Sequence, residues 1–175
     1  MTSSSFSRRG DIASFLAMDV MREANQLQQT GQNICHLEVG QPSTKAPQVV
    51  LDAARYAIES ELIGYTDALG LEDLRQALSA YYHMTYKVHL APERFVITTG
   101  SSAGFILAFL ACLDAGQKVA VTAPGYPAYT NIIQSLDLTP VTIALSQENN
   151  WTLTTDDLRD AEKTHGAIDA LLICL

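Results

Sequence analysis

The chain has 175 residues, 47% of them hydrophobic and 17% charged, with a formal net charge of −8. That length allows one ordinary domain or most of a larger one, and the apolar share excludes disorder as the main state. The acidic balance, with its few Lys and Arg residues scattered, argues against nucleic acid or an anionic membrane as partner.

Cys35, Cys112 and Cys174 are odd in number and far apart, which reads as buried reduced thiols in a cytoplasmic protein. His36, His83, His89 and His165 show no metal-ligand spacing, so no metal site is expected. The Ser-rich start, Met1 to Arg9, runs into a stretch interrupted by Asp19 without a small-residue cleavage pattern, so it is not a secretory signal. Ala103 to Leu113 is the longest apolar run, about half of what a bilayer requires.

In chain order, Ala17, Met21, Ala24 and Leu27 recur at helical spacing, and Gly31 stops that helix before an apolar run, Ile34 to Val39, that reads as a strand. Pro47 opens a second helix with Val50, Ala53, Ala54, Ala57 and Ile58 on one face, ended by Gly64. A third carries Leu71, Leu74, Leu78, Tyr81 and Tyr82 on one side, with Glu72 and Asp73 in its first turn.

From Phe95 the pattern alternates: strand to Thr99, helix Ser102 to Leu113, strand Lys118 to Ala123, helix Ala128 to Leu136 and strand Thr139 to Leu145. A helix from Asp156 to Lys163 and a strand from Ala170 to Leu175 follow. Strands apolar along their whole length, alternating with helices, predict an α/β fold with a mostly parallel sheet between helices. The sequence stops on its last strand without the loop that carries ligand contacts in such folds, so a truncation in mid-domain is expected.

The sharpest local feature is Phe95-Val96-Ile97-Thr98-Thr99 running through Gly100-Ser101-Ser102-Ala103-Gly104 into an apolar helix. Free N–H groups, the helix dipole and two hydroxyls make a phosphate cradle of this turn, although a simple serine N-cap explains the same residues. It lacks both GxGxxG and the P-loop lysine. The same residues satisfy GxSxG, the nucleophile elbow of a serine hydrolase, with Ser102 as nucleophile and Asp137 and His165 as the partners available. A non-catalytic fragment or binding module is a further alternative.

Leu37-Glu38-Val39-Gly40-Gln41-Pro42, then Gly64-Tyr65-Thr66 with Gly70 and Leu74-Arg75, then Ile97-Thr98-Thr99-Gly100-Ser101-Ser102, then Ala123-Pro124-Gly125-Tyr126-Pro127-Ala128-Tyr129 stand in one order. Together they resemble the N-terminal half of class I/II aminotransferases, fold type I enzymes dependent on pyridoxal 5'-phosphate. The resemblance implies that the cofactor phosphate is held by Ser101, Ser102 and Ala103. Tyr126 would stack on the pyridine ring, and Gly40 would lie near the substrate carboxylate. It also implies a homodimer in which Tyr65 reaches the partner's site; without the family, Tyr65 reads as a partly buried core residue.

The implied reaction transfers an amino group between an α-amino acid and a 2-oxo acid. The family's Schiff-base lysine has no counterpart here, since Lys45, Lys87, Lys118 and Lys163 lie outside its motif, so no catalytic residue is assigned and the chain alone is expected to be inactive. Residues 1–45 are expected to form an N-terminal arm and part of a small domain. Residues 46–175 would begin the large cofactor-binding α/β domain.

Overall fold

The computed structural model describes residues 7–174; the Ser-rich residues 1–6 and Leu175, the last residue of the expected final strand, lie outside. Helix α1 (Leu16–Gln29) ends where Gly31, at φ +89°, donates its N–H to Gln28 O over 3.0 Å. Pro47 opens α2 (Gln48–Ser60), its carbonyl accepting from Val50 and Leu51 N–H. That helix stops short of Gly64, because Glu61 already turns into extended backbone. Glu72 and Asp73 occupy the first turn of α3 (Glu72–Tyr86), which Lys87 closes in the left-handed conformation.

The centre of the fold is a parallel sheet. Strand β1 (Lys118–Ala123) pairs with β2 (Thr139–Ala144) on one side and β3 (Ala170–Leu172) on the other, giving the order β2-β1-β3. Parallel neighbours need crossovers, which α5 (Ala128–Ser135) and α6 (Thr155–His165) supply. Val119, Val121 and Leu172 point to one face and pack with Ile133 of α5 and Phe109 of α4 (Ser101–Cys112). On the other face Ala120 stands in register with Val141, and α6 packs against β2. A reciprocal capping box fixes the start of α6: Asp157 N–H donates to Thr154 Oγ1 at 3.2 Å, and Thr154 N–H donates to Asp157 Oδ2 at 2.8 Å. The α/β class with a parallel sheet between helices is thus observed.

Two expected strands are not formed. Ile34 to Val39 and Phe95 to Thr99 have no ladder partner among the described residues. An apolar run signals a segment fit for a sheet, but the ladder needs a neighbour to exchange hydrogen bonds with. Instead, His36 is held between Glu38 at 2.7 Å and Gln28 at 3.0 Å. Ile97 takes a single backbone bond, its N–H donating to Leu69 O over 3.0 Å. The three cysteines are exposed rather than buried. Cys112 ends α4, a helix apolar on all faces in which Leu107 and Leu110 also remain exposed.

One node ties the segment after α2 to the segment that leads into α4. Gly70 sits at φ +96°, and a Cβ there would meet Ile97 Cγ1 at 2.5 Å. Its carbonyl accepts from Nε of Arg75, the one buried charged side chain among the described residues, while Arg75 Nη2 reaches Asp67 at 3.4 Å. Gly70→Ala combines a left-handed penalty of about 1–2 kcal/mol with overpacking against Ile97. It is expected to lower unfolding free energy in urea by at least about 2 kcal/mol; a change below about 0.5 kcal/mol would remove the node from the stability of the fold.

Candidate functional site

In a parallel α/β unit each helix runs antiparallel to the strands it joins. The starts of α4 and α5 therefore lie at the carboxyl ends of the strands, the end at which open α/β sheets bind ligands. The chain also switches direction here, since β2 lies to one side of β1 and β3 to the other. A cleft of about 320 Å³ opens at this end, lined by Thr122, Tyr126, Tyr129, Thr130, Leu172 and Cys174 among others. Gly125 makes the turn above it: a Cβ there would collide with Thr122 O.

Ser101 and Ser102 form the first turn of α4 and are exposed, with Ala103 half-buried behind them. Gly100 precedes them at φ +90°, held by its own N–H to Thr98 O at 2.8 Å and by Thr98 Oγ1 donating to its carbonyl at 2.8 Å. No side chain caps the helix. Among the described residues, the N–H groups of Ser101, Ser102 and Ala103 have no acceptor, so the orphan donors of a helix start point outward. The simple serine N-cap is therefore not what these residues do.

An aromatic chain links this turn to the cleft. Phe105, one turn into α4, meets Tyr129 edge-on at 4.8 Å, and Tyr129 meets Tyr126 at 5.2 Å. Burial, with the neighbouring Cys174 thiol and Tyr126, pushes the Tyr129 phenol above its ordinary value. Sequence reasoning missed Tyr129, Thr130 and Cys174; the signal available was their position at strand ends or in the first turn of a helix that follows one.

The remaining expected residues lie apart. Tyr65 is fully exposed at 109% of its reference area, so the core alternative for it fails. It follows the extended exit of α2, where none of the described residues covers it. Gly40 is exposed, and a Cβ there would meet nothing within 4 Å. Among the described residues no lysine lines the cleft; Lys87 bonds Met84 O, Lys118 bonds His165 O and Lys163 pairs with Asp160. No group of three or more potential metal ligands occurs among the described residues.

The hydrolase arrangement does not assemble. Asp137 follows α5 and precedes β2, and His165 ends α6 ahead of β3, so both lie at the amino ends of the strands. Ser102 lies at the other end, about 20 Å away along a strand of six residues. Asp137 is also engaged, accepting from Arg9 Nε at 2.5 Å.

The family model for aminotransferase class I and II matches residues 32–174. The chain belongs to this family. Its aminotransferase relatives include the valine–pyruvate aminotransferase of Mycobacterium tuberculosis, 40% identical over 154 residues that cover 88% of this chain and 40% of that protein. Another is a (5-formylfuran-3-yl)methyl phosphate transaminase of Methanocaldococcus jannaschii, 34% identical over 73% of this chain and 35% of that protein. Among solved structures, an aminotransferase from Mycobacterium tuberculosis superposes with a TM-score of 0.85 at 39% identity, covering 90% of this chain and 41% of that one. Alanine aminotransferase from Pyrococcus furiosus gives 0.80 at 27% identity, over 89% of this chain and 40% of that one. The chain thus spans about 40% of the length of these aminotransferases.

With Asp137 and His165 at the far end of the sheet, neither can serve as the base that activates Ser102. A fluorophosphonate probe is expected to leave Ser102 unlabelled in the folded protein. Stoichiometric labelling at that residue, mapped by mass spectrometry, would restore the hydrolase.

Proposed function

We propose that this chain forms the N-terminal part of a pyridoxal 5'-phosphate-dependent aminotransferase acting between an α-amino acid and a 2-oxo acid. The observation that carries the proposal is the uncapped start of α4 beside the Tyr126 cleft. Outward-facing N–H groups on Ser101, Ser102 and Ala103, two exposed hydroxyls and no opposing carboxylate in the first turn suit a phosphate dianion. Tyr126, which lines the cleft with its ring partly open, offers a flat apolar face to a planar ring. The donor set and the aromatic wall fit both ends of the cofactor.

When bound, the cofactor supplies an aldehyde carbon that takes up the amino group and a ring that accepts electrons. The chain's own part is to anchor and to shield. Ser102 would hold the phosphate through its N–H and hydroxyl, Ser101 and Ala103 through their backbone N–H groups, and Tyr126 would fix ring tilt and exclude water. Gly40 leaves the backbone open to close approach by a substrate carboxylate. No lysine of this chain is assigned a catalytic role. Among the described residues no helix is long and apolar enough to cross a membrane, and three unpaired cysteines support a cytoplasmic setting.

Residues 1–45 are read as an arm and part of a small domain, and 46–175 as the first part of the large domain. Among the described residues, the buried apolar core lies between Phe109 and Leu172, inside the second of these parts. Full exposure of Tyr65 supports a homodimer in which it reaches the partner's site.

Ser102→Ala removes a hydrogen bond to a charged group, worth about 1.5–3 kcal/mol. The dissociation constant for pyridoxal 5'-phosphate is expected to rise by about one to two orders of magnitude on titration; unchanged affinity would take Ser102 out of the site. For Tyr65, mixed dimers pair a Tyr65→Phe chain with a chain whose cofactor-linking lysine is disabled. Activity should depend on which chain carries which change, as a site built across a two-fold axis requires, and equal activity in both arrangements would rule out sharing.

A further inference from the structure

We infer that residues 9–15 form a strap that positions the Tyr126 ring, with Phe15 as the positioning residue. The inference rests on the proposed role of Tyr126 as the wall against which a bound ring stacks. Three contacts lay the strap along α5 in reverse order. Arg9 Nε donates to Asp137 Oδ2 at 2.5 Å beyond the end of the helix, Asn131 Nδ2 donates to Ala13 O at 2.8 Å midway, and Phe15 meets Tyr126 ahead of its start. From Asp137 back to Tyr126 a helical path covers about 16 Å. Six extended steps from Arg9 to Phe15 span at most about 20 Å, so the strap reaches Tyr126 only if drawn out along the helix.

The last contact is geometrically defined. Ring centroids of Phe15 and Tyr126 are 5.7 Å apart at 83°, the edge-to-face arrangement that aromatic quadrupoles favour. Tyr129 meets Tyr126 at 76° from α5 itself. Among the described residues, Phe15 is the aromatic contact that Tyr126 receives from a distant part of the chain.

Phe15 is itself held. Its carbonyl accepts from Met18 N–H at 2.9 Å and Asp19 N–H at 3.4 Å, making it the hinge between strap and α1. The Asp19 carboxylate accepts from Arg22 Nη2 at 2.7 Å, and the nearby Ser14 hydroxyl together with Arg22 keeps that carboxyl below its ordinary range. The Arg9–Asp137 pair is 59% and 37% exposed and adds little by itself. Asp137, however, is fixed in place, with its left-handed backbone and its carbonyl accepting from Gly116 N–H at 2.7 Å.

The test compares Phe15→Ala, Phe15→Leu, Phe15→Tyr, Asn131→Ala and Tyr126→Ala in the cofactor-loaded protein. It reads the circular dichroism induced in the cofactor's absorption band, the cofactor dissociation constant, and the tyrosine dichroism of the cofactor-free protein. Phe15→Ala is expected to weaken the induced signal and raise the dissociation constant about 2- to 12-fold, the span that one edge-to-face pair accounts for. Phe15→Leu, which keeps apolar volume without a ring, should do the same and guards against an alanine variant that fails to fold. Phe15→Tyr should rescue. Asn131→Ala, which touches the strap and not Tyr126, should move both readouts in the same direction by less. Within a Tyr126→Ala background Phe15→Ala should add nothing. If Tyr126→Ala changes the cofactor signal and neither Phe15 variant does, the strap is overturned. If Tyr126→Ala itself leaves that signal unchanged, the ring assignment under the proposed function fails instead; the tyrosine dichroism of the cofactor-free protein then decides the strap, an unaltered Phe15→Ala spectrum overturning it.

Discussion

Everything else in this fold is hung on the double pairing of β1. It is the strand whose backbone is bonded on both sides, and Val119 and Ala120 have no solvent exposure. A strand in that position cannot be half-buried: α4 and α5 cover one face with Phe109 and Ile133, while α6 packs against the neighbouring β2. Because all three strands run the same way, every crossover returns to the same edge. The carboxyl ends then gather the loops that carry Ser101, Ser102 and Tyr126, whereas Asp137 and His165 fall to the opposite edge. The separation of the Ser101–Ser102 turn from Asp137 and His165 is thus a result of strand direction, not of any local contact.

A second constraint works at shorter range. Gly70, Ile97 and Arg75 lock the segment after α2 to the approach of α4, so the position of the Ser101 turn depends on residues some thirty places earlier. The packing is otherwise open. A compact monomer of 19.0 kDa exposes about 8,400 Å², and this chain exposes 13726 Å². Much of the excess is apolar, on α2, α3 and the outer face of α4. Faces of this kind are stable when a further surface covers them.

The elements from Ser101 onward were legible because period and punctuation agree there: apolar strands, serine or threonine starts, glycine stops. The runs 34–39 and 95–99 carried the same apolar signal but failed as strands, since pairing is a property of two segments and a sequence pattern describes one. Local chemistry marked Ser101 and Ser102 as a helix start and Tyr126 as part of the turn after a strand, and both are found, although the strand expected before Ser101 is not. It could not separate GxSxG from a phosphate turn, because the difference lies in which edge of the sheet holds Asp137 and His165. Cysteine burial was misjudged for a similar reason: an apolar neighbourhood in sequence says nothing of whether a neighbour in space arrives to cover it. Phe15 was invisible, since only the course of the strap brings it to Tyr126.

The three helices of the sheet layer also carry charge. Each helix start is equivalent to about half a positive charge, and α4, α5 and α6 all start at the carboxyl edge. In α6 that charge is offset by Asp156 and Asp157 in the first turn, while the first turns of α4 and α5 hold no acidic residue. The molecule as a whole is anionic, at −8, yet its potential is uneven. Beside the Tyr126 cleft two helix starts are left unneutralised, forming a local electropositive spot on a repelling surface. For a chain of net negative charge, such a pattern makes this edge less repelling to an anion at the starts of α4 and α5 than at the Asp156 and Asp157 start of α6.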